Sequence, residues 1–268
     1  MKVLFNHQIL EAHQVKIPWY DRGFQYADGI FETIIVKGGI IQFWDYHLER
    51  LKNGLQCLKL ENSPQSTPID WKEKTLELLK NNRLEDARIK IMVWRKSGGL
   101  YTPQSKDFDF LISSQQYNDL SNSSINQCGI SQEVRLGRSS FSHCKTINAL
   151  PYVIAGMERK EKQWQEIILL DHFGHISECG SANIFWMKNQ TVYTPSLESG
   201  CIAGVRRAAL VDQLRKADIP VVEGLFAPKS LFGADAVWKT NVTGIVAITQ
   251  IENHLFQQNL LTVIKNLY

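Results

Sequence analysis

Lys145 precedes a run, Thr146 to Glu158, that is apolar for much of its length, with Pro151 early in it and helix-forming residues after it. An amine placed where a strand or loop hands over to a helix has two readings. It is a surface lysine whose stem lies along apolar neighbours, or it is a partly desolvated nucleophile. Glu178 stands between Ile176-Ser177 and a glycine-containing turn, Cys179-Gly180-Ser181-Ala182-Asn183. A carboxylate there accepts turn hydrogen bonds or meets a ring nitrogen. Val205 to Lys216 reads as a helix led by Gly204. The first amides of that helix, on Val205 and Arg206, lack partners within it, and both the helix dipole and the glycine favour an approaching anion. Arg50 is the guanidinium that would join such an anion site, or else it is a solvated residue of its own helix.

A lysine that forms a Schiff base, an acid for a pyridinium nitrogen and a phosphate cradle are together the requirements of pyridoxal phosphate chemistry. The elements that must position them read as follows. Residues 1–43 form short strands and turns around D-R-G-F-Q-Y-A-D-G (21–29), followed by a β-rich run from Ile30 to Val36 and a turn at Lys37-Gly38-Gly39. Asp45 is placed to cap a helix carrying Leu48, Leu51, Leu55 and Leu58, and Asp70 to cap a second one over 69–80. Ala87 to Trp94 alternates as a strand, Arg95 to Tyr101 is a glycine-containing loop, and Phe108 to Ser113 is a strand. The second half is dominated by β-runs, with a last helix near Leu260 to Leu267. This mixture indicates an α+β fold. The polar stretch Gln115 to Gln127 is the expected connection between a domain over 1–114 and a domain over 128–268 that carries the lysine.

Order and spacing resemble the class IV, or fold type IV, pyridoxal-phosphate enzymes. That family holds branched-chain aminotransferases, D-amino acid aminotransferases and 4-amino-4-deoxychorismate lyases. The resemblance covers nearly the whole chain. It rests on D-R-G-F-Q-Y-A-D-G-I-F-E-T (21–33), H-L-E-R-L (47–51), K-T-I-N (145–148), G-H-I-S-E-C-G-S-A-N-I-F (174–185), T-P (194–195) and I-A-G-V-R-R (202–207). It implies an N-terminal α/β domain and a C-terminal pseudo-barrel with pyridoxal 5'-phosphate between them, and a homodimer in which the partner completes the substrate pocket. Lys145 then forms the Schiff base and moves protons, and Glu178 binds the pyridine nitrogen. Arg50 and the amides of Val205 and Arg206 hold the phosphate, and Ile202 packs on the ring.

The chain departs from the family pattern at Arg206 and near Val242, where aminotransferases carry threonines for the phosphate. Thr240, Asn241 or Thr243 are the substitutes in reach of that role, so Asn241 and Val242 join the expected cofactor-binding set. Ala149 follows Asn148 where branched-chain aminotransferases place a tyrosine. Three features resemble the lyases instead: the loop R-K-S-G-G-L-Y (95–101), Thr33 after Phe31-Glu32, and Thr240-Asn241-Val242. They imply Thr33 as a catalytic neighbour of Lys145, with Phe31, Arg95 and Tyr101 at the substrate. The expected reaction is loss of pyruvate from 4-amino-4-deoxychorismate to give 4-aminobenzoate for folate. The alternatives are an aminotransferase acting on D-amino or branched-chain amino acids, and a non-catalytic relative that only binds the cofactor.

Composition narrows the setting. With 30 basic and 27 acidic side chains the net charge is +3, too small to argue for nucleic acid. No run approaches the roughly 20 apolar residues of a membrane span. Five cysteines, odd in number and without C-x-x-C spacing, are expected to be small buried residues in a reducing cytoplasm.

Overall fold

In a computed structural model, residues 1–62, 67–118 and 124–257 are described. They divide into two compact units. The first holds residues 1–118 together with Cys144–Asn148, and the second holds 124–143 together with 149–257. Secondary structure is mixed α and β in both, as an α+β reading requires.

The first unit contains β1 (Lys2–Phe5), β2 (Gln8–Glu11), α1 (Arg22–Tyr26), β3 (Gly29–Lys37), β4 (Ile40–Ile41), α2 (Trp44–Cys57), α3 (Trp71–Asn82), β5 (Ala87–Arg95) and β6 (Phe108–Gln116). Its six strands form one sheet in the order β2-β1-β6-β5-β3-β4. Every pairing in that sheet is antiparallel. Side chains alternate across it, so Ile30, Ile34 and Val36 of β3 and Ile89, Ile91 and Val93 of β5 face one way. There they form a core with Leu51 of α2 and Leu78 and Leu79 of α3. Asp70 caps α3 as its sequence predicts, accepting from the Lys72 and Glu73 amides at 3.0 and 2.9 Å. Asp45 does not cap α2. That helix starts two residues earlier than such a cap would give, at Trp44 after Phe43, and leaves Asp45 in its first turn, where a carboxylate still favours the positive end of the dipole. The strand expected to stop at Ser113 runs on through Gln116, because Ala87 and Arg88 of β5 supply partners for Gln116 and Gln115. The proposed connection over 115–127 therefore begins inside a strand.

The second unit contains β7 (Cys128–Leu136), α4 (Leu150–Glu161), β8 (Glu166–Asp171), β9 (Ile176–Cys179), β10 (Asn183–Lys188), β11 (Thr191–Pro195), α5 (Val205–Lys216), β12 (Val221–Gly224), β13 (Ala236–Asn241), β14 (Gly244–Ile248), β15 (Gln250–Ile251) and β16 (His254–Leu255). Two five-stranded sheets result, β12-β11-β10-β13-β14 and β16-β15-β7-β8-β9. Ile168, Leu170, Ile176, Ile184, Trp186 and Val237 share one core drawn from both sheets. A second cluster packs α5, through Leu210, Val211 and Leu214, onto Phe185 and Trp238. The helix expected over 260–267 lies outside the described residues.

One short segment breaks chain order. Cys144–Asn148 belongs to the first unit, not to the 128–268 stretch around it. The cause is backbone pairing: Thr146 bridges Ile30 antiparallel, the Phe31 amide donates to Lys145 O at 2.8 Å, and the Ile147 amide donates to Gly29 O at 2.9 Å. Gly29 makes this approach possible. A Cβ there would meet Val93 O at 2.3 Å and Ile147 Cδ1 at 2.8 Å.

Candidate active site

In the first unit, the antiparallel bridge Ile30↔Thr146 sets Lys145 opposite Phe31, so their side chains share a face of β3. The Lys145 Nζ accordingly lies 4.5 Å from the Phe31 ring centroid, a cation–π contact that fixes a half-buried amine. Alternation puts Thr33 on that same face, two residues along, and it is buried. Lys90, whose residue pairs with Thr33 across β5, brings a second ammonium 4.9 Å from the same ring.

The other face of β3 carries Glu32 against α2. Arg50 grips it bidentately, Nε to Oε1 at 2.7 Å and Nη2 to Oε2 at 2.6 Å, and His47 Nδ1 lies 2.7 Å from Oε2. All three side chains are largely buried, Glu32 and His47 at 2% exposure and Arg50 at 11%. Burial alone would raise the Glu32 carboxyl. The Arg50 charge and hydrogen bond, with those of His47, overturn it and bring the group down to about 2. Sequence reasoning singled out Arg50 and missed its partners. The available signal was the His47–Arg50 spacing of three, which places both on one helix face.

The D-R-G-F-Q-Y-A-D-G motif is architectural. Asp21 caps α1 through the Gly23 amide (2.7 Å) and accepts from Trp94 Nε1 (3.0 Å). Asp28 accepts from Arg22 Nε at 2.8 Å and from Arg95 Nε at 2.9 Å. Arg22 Nη1 then reaches the carbonyls of Gly98, Gly99 and Leu100, which shapes the loop before Tyr101. Arg95, expected at the substrate, is engaged within the first unit. The residue is 6% exposed, and its guanidinium nitrogens also donate to Leu58 O (2.6 Å) and Lys59 O (3.2 Å), so it ties β5 to the end of α2. Tyr101 is the opposite case, 91% exposed with its ring 5.8 Å from Tyr26.

In the second unit, Glu178 is 3% exposed on β9. Its Oε1 accepts from the Tyr152 hydroxyl at 2.6 Å and from the Ile202 amide at 3.2 Å, while Asn183 Nδ2 lies 3.4 Å from Oε2. Asn183 also donates to Ile202 O at 2.9 Å, which fixes the peptide flanking the residue expected on a ring face. α5 begins where predicted, at Val205 after Gly204, and no side chain caps it. Gly204 is required there, since a Cβ would lie 1.8 Å from Asn183 Oδ1.

β10 and β13 pair Asn183 with Thr240, so both side chains share the sheet face on which α5 packs. Thr240 is 1% exposed and its Oγ1 is buried without a hydrogen-bond partner among the described residues, an unusual state for a hydroxyl. Asn241 is committed elsewhere, donating to Ser181 O (3.2 Å) and accepting from Thr243 N (2.9 Å) and Oγ1 (2.6 Å). Val242 contributes a carbonyl that accepts from Arg206 Nη2 at 3.3 Å. Tyr152 and Asn183 were not singled out as site residues from sequence, although each lies in or beside a stretch that was, whereas Thr240 was named among the substitutes for the family's phosphate threonines.

None of the five cysteines is disulfide-bonded, and all but Cys57 are buried. Burial, reinforced by a hydrogen bond with Cys57, pushes the Cys144 thiol up to about 12. Burial and the Glu178 charge do the same for Cys201. Both are inert thiols at neutral pH.

Residues 29–251 match the family model for amino-transferase class IV. The chain belongs to that family. Its members are pyridoxal-phosphate-dependent enzymes, and this chain is one of them. An aminodeoxychorismate lyase of Vibrio harveyi is 30% identical over 246 residues, covering 89% of this chain and 88% of the relative. The aminodeoxychorismate lyase of Bacillus subtilis is 27% identical over 258 residues, covering 93% and 86%. In fold, the chain is similar to the branched-chain amino acid aminotransferase of Escherichia coli, with a TM-score of 0.88 at 21% identity over 99% of this chain and 92% of that one. The α+β, fold type IV architecture expected from sequence is the one found.

Proposed function

We propose that the protein is a class IV lyase that removes pyruvate from 4-amino-4-deoxychorismate and leaves 4-aminobenzoate, with Lys145 as the amine that carries pyridoxal 5'-phosphate. The observation that carries the choice of reaction is the 30% identical lyase relative spanning 89% of the chain. Thr33 on the lysine's face of β3 supports it.

The residues fit the cofactor. Its phosphate suits the uncapped first turn of α5 and the partnerless Thr240 hydroxyl, which is the member of the 240–243 set whose hydroxyl is buried and unbonded. Asn241 and Thr243 satisfy each other, and Arg206 steadies the turn through Val242 O. When bound, pyridoxal phosphate supplies an electron sink for the bond broken at the substrate. Glu178 is the buried acceptor for the ring nitrogen's proton. Lys145, whose amine lies against Phe31, would take the proton from the substrate carbon; the C–O bond would break as the substrate ring becomes aromatic, and the enolpyruvate released would take up one proton to give pyruvate. Ile202, its peptide fixed by Asn183, covers the ring.

Purified protein incubated with 4-amino-4-deoxychorismate should release 4-aminobenzoate and pyruvate in equal amounts. Protein that forms neither, but moves the amino group of D-alanine or leucine to 2-oxoglutarate, is an aminotransferase and the lyase reading falls.

The active form is proposed to be a homodimer. On the first unit, exposed Ile17, Trp19 and Phe24 line a hollow of about 420 Å³ together with Met92, Trp94 and Leu111, and exposed Tyr20 stacks edge-on against Trp19. So much exposed aromatic surface on one patch suits an interface with a second copy of the chain. Light scattering should give twice the 30.7 kDa chain mass, and Trp19→Glu should lower it. A wild-type particle of single-chain mass would sink the dimer. No described helix is long and apolar enough to cross a membrane.

A further inference from the structure

Tyr152 sits in the first turn of α4, beside Pro151, which the open start of a helix tolerates. Its ring is seated by a cluster of Val134, Leu136, Ala155, Ile167 and Leu169. β8 and β9 pair Leu169 with Glu178, so the carboxylate shares the sheet face that this cluster and α4 occupy. The phenol and the carboxylate therefore meet by construction, at 2.6 Å, a length typical of an O–H donor on a charged acceptor.

We propose that Tyr152 is a positioning residue for Glu178, whose hydroxyl holds the carboxylate in its anionic form and in the orientation that keeps a proton on the cofactor ring. The proposal rests on the reading of Glu178 as the ring-nitrogen partner. Its physical basis is simple. A proton shared between a pyridine nitrogen and a carboxylate goes to the stronger base, and each hydrogen bond donated to the carboxylate weakens it as a base. The donor itself does not titrate away. Burial, then the adjacent Glu178 charge, push the Tyr152 hydroxyl far above its ordinary range. The Ile202 amide donates to the same oxygen and Asn183 Nδ2 lies 3.4 Å from the other, so loss of the phenol leaves the carboxylate held and the site folded. A carboxylate with one donor fewer draws the proton off the ring, and the electron sink weakens.

The test is Tyr152→Phe, which keeps the ring in its apolar seat and deletes only the hydroxyl. With cofactor labelled with ¹⁵N at the ring nitrogen and no substrate present, the wild-type resonance should lie in the pyridinium region, and that of Tyr152→Phe should move toward the unprotonated value. kcat should fall roughly 10- to 100-fold, the range for losing one hydrogen bond to a charged group, with KM changed little. Thermal unfolding of the apoprotein should stay within a few degrees of wild type. Glu178→Gln separates the two readings, since it should abolish the pyridinium signal and weaken cofactor binding by the apoprotein. If Glu178→Gln does neither, the assignment of Glu178 falls and the proposal with it. If it does both while Tyr152→Phe leaves the ¹⁵N shift and kcat within twofold of wild type, the role of Tyr152 alone is refuted.

Discussion

Lys145→Ala is expected to abolish turnover and the cofactor's long-wavelength absorbance while leaving the fold almost untouched. The two parts of that result have separate causes. What holds the lysine segment is backbone: the Phe31 amide on Lys145 O, the Ile147 amide on Gly29 O, and the Ile30↔Thr146 bridge. Alanine keeps all of it. The side chain's cation–π contact with Phe31, made from a half-buried position, is worth about 1 kcal/mol. Loss of the amine removes both the covalent anchor and the proton carrier, so turnover should drop by at least roughly 10⁴-fold.

Lys145→Arg sharpens the comparison. The guanidinium keeps a positive charge over Phe31 but does not deprotonate to a nucleophilic amine. It should therefore preserve the melting temperature and still lose the absorbance band and the activity. Product formation measured alongside the visible spectrum of each variant decides the matter. A Lys145→Ala protein that keeps the band and turns over within tenfold of wild type would falsify the assignment of the cofactor lysine.

The candidate site was legible where it depends on residue type and chain position, and illegible where it depends on register. Val205–Lys216 was readable as a helix because Gly204 precedes an apolar stripe, and the structure begins it at that residue. Asp70 was readable as a cap for the same kind of local reason. Lys145 joining the first unit was not readable. That outcome depends on a bridge to a residue more than a hundred positions earlier and on the missing Cβ of Gly29. Arg95 shows the same limit. Its motif resembled a substrate loop, but the fold brings Asp28 and two carbonyls from the end of α2 to its donors, and a long-range contact decides its role. Tyr152 lay in the stretch first noticed and carried no local mark. Only the β8–β9 register turns Glu178 toward it.

Glu32→Gln is the expected large loss of stability. The carboxylate is 2% exposed between an arginine that grips both its oxygens and a histidine 2.7 Å away. Removing its charge leaves the guanidinium buried without its counter-ion, a change of about 3–5 kcal/mol. The effect has a pH signature. Glu32 has its folded pKa lowered to about 2 from 4.5, because Arg50 and His47 outweigh the burial that alone would raise it. A depressed folded value means the stabilisation is fully present above about 4.5 and is lost as the pH falls toward 2; a drop of this size corresponds to about 3 kcal/mol. Denaturant unfolding at pH 7 should show the wild type more stable than Glu32→Gln by several kcal/mol, and the gap should close as both are taken from pH 4.5 to pH 2. Adding Arg50→Met to Glu32→Gln should recover part of the loss, since it removes the buried charge that Glu32 no longer neutralises. A gap that stays constant between pH 7 and pH 2 would mean that packing, not charge, is what Glu32 contributes.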